Sequence, residues 1–285
     1  MTELSARLHK LDLHPTLDAK GSLRLETEAG PKLVKRFYPE SLREQAFILR
    51  RNIAGLCLHH RVQLFAWDDE LYQLIDLDPA LKPVEDPREA LGITQLYTCS
   101  DHIAMLVPKL TIEDLIRSHH VNYQVVKGDG HPRAREIGLE SFVDLFHSST
   151  RELWPEDEGR FRSGLFHEDL QTTNILAGRG RLHLIDLDPI WHTYSVMNLA
   201  HFFAMEVIGK RRLGAFDGIR EHLVAALEEE SERDFDFFVL LALYRALLRR
   251  VFHKEIFAPS APSDFTWYFQ ELGFNFYLRR VASRR

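Results

Sequence analysis

The stretch that decides the fold reads GLFHEDLQTTNILAGRGRLHLIDLDP, Gly164 to Pro189. Its pattern predicts a short strand, a loop opening at His167, a strand-like NILAG, a glycine-containing turn and a second strand, LHLIDLD. Three oxygen-bearing side chains are set along it: Asp169, Asn174 five residues later, and Asp186 twelve beyond that. A hairpin of this kind can bring a base-like carboxylate, an amide oxygen and a second carboxylate to one end of a sheet. Hard oxygen donors of that sort suit Mg²⁺, which is bound by carboxylates together with substrate phosphate oxygens.

The hexapeptide LIDLDP closes this stretch at 184–189 and also occurs at 74–79. The first copy is preceded by HHRVQLFAWDDE, which contains no asparagine and no H-x-D. Asp76 and Asp78 therefore read as strand-end or turn residues leading into Pro79. No repeat of 20–50 residues runs through the chain, so a solenoid is not expected.

Working outward, the N-terminal third reads as strands with one helix. SLRLETEAG alternates, turns at Gly30-Pro31 and resumes as KLVKRFY, the pattern of a β-hairpin. Apolar residues at 42, 46, 49, 53 and 56 give the following segment helical spacing. RVQLFAW and LYQLIDL predict a second hairpin, and ITQLYT and HIAMLVPKL a further strand pair. From Thr111 the character turns helical, beginning with a threonine cap and early acids in TIEDLIRSHH. Helices are predicted over EIGLESFVDLFHSSTREL and near 216–230, 234–254 and 263–282, the last two separated by APSAPS. DFDFFVLLALYRALLRRVFHKE is apolar around most of its girth and reads as a core helix. The fold class is thus α+β: an antiparallel sheet with a helix over 1–110, then a mostly helical part over 111–285.

Bulk properties exclude several classes. The 285 residues are 45% hydrophobic and 27% charged, an ordinary globular composition. A formal net charge of -6 argues against nucleic acid as the main partner. Cys57 and Cys99 follow no metal or disulfide spacing, and adjacent histidine pairs such as His59/His60 suit chelation poorly. The charged start lacks the apolar run of a signal peptide, and no stretch approaches the roughly 18 apolar residues of a membrane span. The expected location is the cytoplasm.

H-E-D-L-Q-T-T-N resembles the catalytic-loop pattern H-x-D-L-x-x-x-N of the protein-kinase-like superfamily, and I-D-L-D stands where those enzymes carry D-F-G. The resemblance implies two lobes: a nucleotide-binding lobe over 1–110 and a catalytic and substrate lobe over 111–285. It implies that Asp169 accepts or orients the substrate hydroxyl proton, while Asn174 and Asp186 hold Mg²⁺ on the phosphates of ATP. His167 would tie the loop together. The family's lysine falls in KLVKRFY, as Lys35 in the V-x-K pattern rather than Lys32 next to the turn. Glu44 is its natural ion-pair partner, and Ser41-x-x-Glu44 is equally a capping box. Gly21 alone stands for the glycine-rich phosphate loop, and AMLVPKL (104–110) is similar to the hinge strand.

No A-P-E follows Asp186, and PIWHTYSVMNLAHFF turns helical within about ten residues. That leaves little platform for a peptide and resembles the aminoglycoside, choline and lipopolysaccharide-core sugar kinases. The D-L-D form and the NLAHFF helix are most similar to the Kdo/heptose kinases of lipopolysaccharide biosynthesis. Alternation along LIDLD sets Asp188 on the same side as Asp186, as a further metal or substrate contact. The resemblance implies an ATP- and Mg²⁺-dependent kinase acting on a hydroxyl of a small molecule or glycolipid sugar. A pseudokinase that binds nucleotide or a partner with little turnover is the alternative, favoured by the lone Gly21 and by Glu168, where many relatives carry Arg or Gly. Two readings of the C-terminal FTWYFQELGFNFYLRRVASRR stay open. One is a last helix packed on the core; the other is a peripheral membrane contact through Arg279, Arg280, Arg284 and Arg285.

Overall fold

The N-terminal strands carry apolar residues, mostly leucine, between polar ones, and β3 lies at the centre of their sheet. The computed structural model describes residues 16–17, 23–27, 30–36, 62–67, 70–76, 80–93, 109–128, 139–167, 169–178, 181–184, 190–210, 212–252, 277 and 279. In chain order the strands are β1 (Thr16–Leu17), β2 (Leu23–Thr27), β3 (Gly30–Arg36), β4 (Val62–Trp67), β5 (Glu70–Asp76) and β6 (Lys82–Pro83). Helices α1 (Ile112–Gly128) and α2 (Leu139–Arg151) follow. Then come β7 (Ser163–His167), β8 (Ile175–Gly178), β9 (Arg181–Leu184) and β10 (Ile190–Tyr194). Helices α3 (Val196–Phe203), α4 (Phe216–Ala225) and α5 (Glu232–Phe252) complete the described elements.

The contacts divide the chain into two compact units, Met1–Glu85 with Thr172–Pro189, and Asp86–Gln171 with Ile190–Arg285. This division breaks at Glu85–Asp86, where the sequence suggested residue 110, and groups 172–189 with the N-terminal strands.

In the first unit the described strands form an antiparallel sheet in the order β1-β2-β3-β5-β4. The β2–β3 pairing runs to Thr27↔Gly30, so Gly30 and Pro31, read from the sequence as the turn, are strand residues. The β3–β5 ladder sets Asp76, the first aspartate of the first hexapeptide, at the register position across from Lys32. A second sheet in the order β6-β8-β9 pairs Lys82 with Ala177 and Ile175 with Leu184. Gly178 lets β8 approach the chain before β6, since a Cβ there would lie 2.9 Å from the Ala80 carbonyl oxygen.

The second unit is built on α5, whose residues from Phe235 to Tyr244 bury their side chains, in keeping with a sequence apolar around most of its girth. Helices α1 and α3 pack on it, and Tyr244 stacks on Phe146 of α2 with ring centroids 3.9 Å apart. Both long helices begin with reciprocal caps. Asp114 N–H donates to Thr111 Oγ1 at 3.1 Å and Thr111 N–H to Asp114 Oδ2 at 3.0 Å. Ser231 and Asp234 repeat the arrangement at the start of α5, with 2.7 Å from Ser231 N–H to Asp234 Oδ2. Strands β7 and β10 form an antiparallel pair in which Gly164 lies against the next residues of the chain, a Cβ there being 2.4 Å from Ser195 Oγ. The last predicted helix is described at two positions. Tyr277 is fully buried beside Phe203 and Phe216, its hydroxyl donating to Asp236, and Arg279 is exposed. No described helix is long and apolar enough to cross a membrane.

Candidate active site

The loop that carries the first oxygen group grows out of the end of β7. His167 is its last strand residue, paired across from Ile190 of β10 and almost wholly buried. A buried backbone N–H must find an acceptor, and that of His167 donates to Asn198 Oδ1 of α3 at 3.1 Å. Leu170 N–H then donates back to the His167 carbonyl at 3.2 Å, closing a turn. Inside that turn Asp169 N–H donates to His167 Nδ1 at 3.1 Å, which puts the neutral ring's proton on Nε2. His167 therefore ties the loop together, the part the resemblance assigned to it.

Leu170 is fully buried, while its neighbours Asp169 and Gln171 are both partly exposed. Gln171 Nε2 donates to Asp169 Oδ1 at 2.9 Å. Asp169 itself is half-buried, compatible with access from solvent. Neither Gln171 nor Asn198 is named by the sequence pattern as a site residue. The signal for Asn198 is an asparagine inside the apolar run VMNLAHFF, where a buried amide needs a partner. For Gln171 the sequence carries no such mark.

Asn174 belongs to the other unit, as the last residue of a 3-10 turn over Thr172–Asn174, and is buried along with Thr172. The β8–β9 ladder sets Ile175 across from Leu184, so the backbone just after Asn174 lies beside the backbone just before Asp186. Asp186 and Asp188 lie outside the described residues, as do Gly21, Glu44 and most of the hinge-like stretch 104–110. Lys35 takes the register position across from Gln73 in the β3–β5 ladder. An amide oxygen at the start of a hairpin whose far strand leads into two aspartates is a donor set chemically suited to Mg²⁺. Among the described residues no cluster of three His, Cys, Asp or Glu forms a metal site of its own.

At the end of the hinge-like stretch, Lys109 and Leu110 anchor the chain to β10. Leu110 N–H donates to the His192 carbonyl at 2.9 Å, and the Lys109 ammonium sits 4.0 Å from the centre of the Tyr194 ring. Burial lowers the Lys109 pKa, and Glu158 opposes that shift. The Tyr194 hydroxyl donates to Glu158, whose Oε2 also accepts the first N–H of α1 at 3.3 Å. Burial, with that carboxylate beside it, pushes the Tyr194 pKa well up, so the phenol stays protonated.

No protein-family model matches the sequence, and no curated protein matches it. Solved structures do. A choline kinase from Streptococcus pneumoniae superposes with a TM-score of 0.62 at 13% identity, over 98% of this chain and 98% of its own. An aminoglycoside phosphotransferase from Alicyclobacillus acidocaldarius gives 0.60 at 16% identity, over 100% and 97%. A spectinomycin phosphotransferase in complex with ADP and spectinomycin gives 0.57 at 13%, over 88% and 84%. At these identities the likeness speaks for the backbone: the chain has the protein-kinase-like fold that these small-molecule kinases share.

Proposed function

We propose that the chain is a kinase that transfers the γ-phosphoryl group of ATP to a hydroxyl of a small molecule or of a glycolipid sugar. The observation that carries the proposal is the loop after β7, where Asp169 is held by His167 and Gln171 five residues ahead of the buried Asn174. In this reading the acceptor hydroxyl gives its proton to the Asp169 carboxylate as its oxygen bonds to the γ-phosphorus. The bond from that phosphorus to the β–γ bridging oxygen breaks, and ADP leaves with the electron pair. Asn174 and Asp186, with Asp188 beside them, would hold Mg²⁺, which when bound neutralises phosphate charge. Lys35 would pair with the phosphates and Glu44 with Lys35, while Gly21 would bring backbone close to them. The first unit would then be the nucleotide-binding lobe and the second the catalytic and acceptor lobe. Phosphoryl transfer asks for positioning and charge neutralisation more than covalent help, which is what this set of groups supplies.

For the acceptor, the neighbours are named for choline, an aminoglycoside and spectinomycin, all hydroxyl-bearing small molecules. The D-L-D form of the metal segment and the α3 helix beginning at VMNLAHFF favour a lipopolysaccharide-core sugar, with the basic C-terminal end toward the membrane. A nucleotide-binding pseudokinase is the second reading, favoured by the single glycine of the phosphate loop. A thermal shift with ATP, with and without Mg²⁺, tests both: no shift under either condition sinks them together. Labelled ATP with sugars, amino alcohols and lipopolysaccharide fragments separates them, because the pseudokinase labels none.

A further inference from the structure

We propose that Gln171 is a positioning residue that sets the orientation of the Asp169 carboxylate, an inference that rests on the reading of Asp169 as the proton acceptor. A carboxylate on a loop can rotate about two side-chain bonds, and proton transfer needs its oxygen held within hydrogen-bond reach of the acceptor hydroxyl. The backbone here is already fixed: Asn198 holds His167, Leu170 N–H closes the turn on the His167 carbonyl, and Asp169 N–H is held by His167 Nδ1. The side chain is held in turn at one oxygen, by the 2.9 Å bond from Gln171 Nε2 to Asp169 Oδ1. A carboxylate accepts and does not donate, so the amide must present its NH₂ to it. Each carboxylate oxygen has two lone pairs, so one N–H orients the group without ending its capacity to take a proton. The donor is also neutral. A cation in its place would hold the carboxylate at least as firmly but would lower its basicity. Gln171 thus orients the base and spares its reactivity.

The test uses the full chain with Gln171→Met, which keeps length and lacks the donor, and Gln171→Glu, which keeps shape and places a second acceptor against the first. Mg·ATP turnover with water as acceptor is the kinetic probe. Loss of a hydrogen bond to a charged group predicts that kcat falls about 10-fold in Gln171→Met. Like-charge repulsion predicts about a further 10-fold in Gln171→Glu. KM for ATP should stay within about 2-fold and both melting temperatures should remain near that of the wild type. A residue that merely packs would give equal losses in the two variants that track stability; one that binds nucleotide would raise KM. Either pattern overturns the proposal, as does a wild-type kcat in Gln171→Met. A second readout needs no turnover. The side-chain amide resonance of Gln171, assigned by its disappearance in Gln171→Met, should move in Asp169→Ala. An unmoved resonance refutes the contact. If the wild type transfers phosphate from ATP neither to water nor to any of the sugars, amino alcohols and lipopolysaccharide fragments while the resonance does move, the kinase reading falls and the orienting contact stands.

Discussion

The two copies of LIDLDP are reached through ladders with different neighbours. In the first copy Asp76 takes the register position across from Lys32 in the β3–β5 ladder. In the second the described β8–β9 ladder pairs Leu184 with Ile175, and both aspartates lie outside the described residues. The strand leading to the first copy comes from a tight hairpin with Trp67 opposite Glu70. The strand leading to the second comes from a hairpin whose other arm starts right after the buried Asn174. Identical letters therefore meet different neighbours. Asp76 takes the register position across from Lys32, while the strand that leads toward Asp186 is paired with the one that starts right after Asn174.

The largest effects should come from the loop and the second copy. Asp169→Ala is expected to lower kcat by about 10³-fold while leaving the Mg·ATP thermal shift largely intact. Asp186→Ala should remove the Mg²⁺-dependent part of that shift as well. A kcat unchanged in the first, or an unaltered shift in the second, would dissolve the distinction between the copies. Next in size, Asn198→Ala leaves the His167 N–H without its acceptor in a buried position, a cost of about 1–3 kcal/mol read as a lower melting temperature. Its effect on turnover should exceed that of an equally destabilising change elsewhere in α3. Asp76→Ala, the control on the first copy, should cost less than about 1 kcal/mol, leave kcat and KM alone and show no change in Mg·ATP binding. A loss of activity in Asp76→Ala would put the first copy into the chemistry.

The smallest effect is a pH dependence. Backbone and side-chain hydrogen bonds from Thr111 hold the Asp114 carboxyl below the ordinary carboxylate range. A depressed folded pKa adds stability above the unfolded pKa of about 3.9, and that stability is lost as pH falls through the folded value. Melting curves recorded from pH 6 down to pH 2 should therefore show a shallower acid decline in Asp114→Ala than in the wild type. Equal slopes would mean that the cap does not carry the shift.

Much of the molecule was legible locally. Period-2 alternation marked both N-terminal hairpins, because a half-buried strand must alternate. Thr111 and its early acids marked the start of α1, and a pattern apolar around most of its girth marked α5 as core. The Gly30-Pro31 turn was misread because a proline was taken as punctuation. Whether it stands in a turn or in a strand depends on the register of the paired strands, and that is not a local property. The helix carrying Glu44, the strand pair within 93–110, and Gly21, Asp186 and Asp188 lie wholly or largely outside the described residues. Within the site, His167 could be named from spacing because the loop's geometry is set by five neighbouring residues. Asn198 could not, since its partner lies 31 residues away.

What the sequence determined by itself is the order of elements, the cap of α1, the largely apolar girth of α5, and the H-x-D-L-x-x-x-N spacing that singles out Asp169 and Asn174. These follow from interactions between residues a few positions apart, which a linear pattern records. The tertiary structure alone decided which buried polar groups meet. Asn198 takes the His167 N–H, Arg160 reaches Asp234 across 74 residues, and Tyr277 finds Asp236 across 41. It also paired Lys82–Pro83 with β8, which puts 172–189 among the N-terminal strands. The reason is physical: a polar group excluded from water must be satisfied by whatever packing brings beside it, and that partner carries no mark in the local sequence.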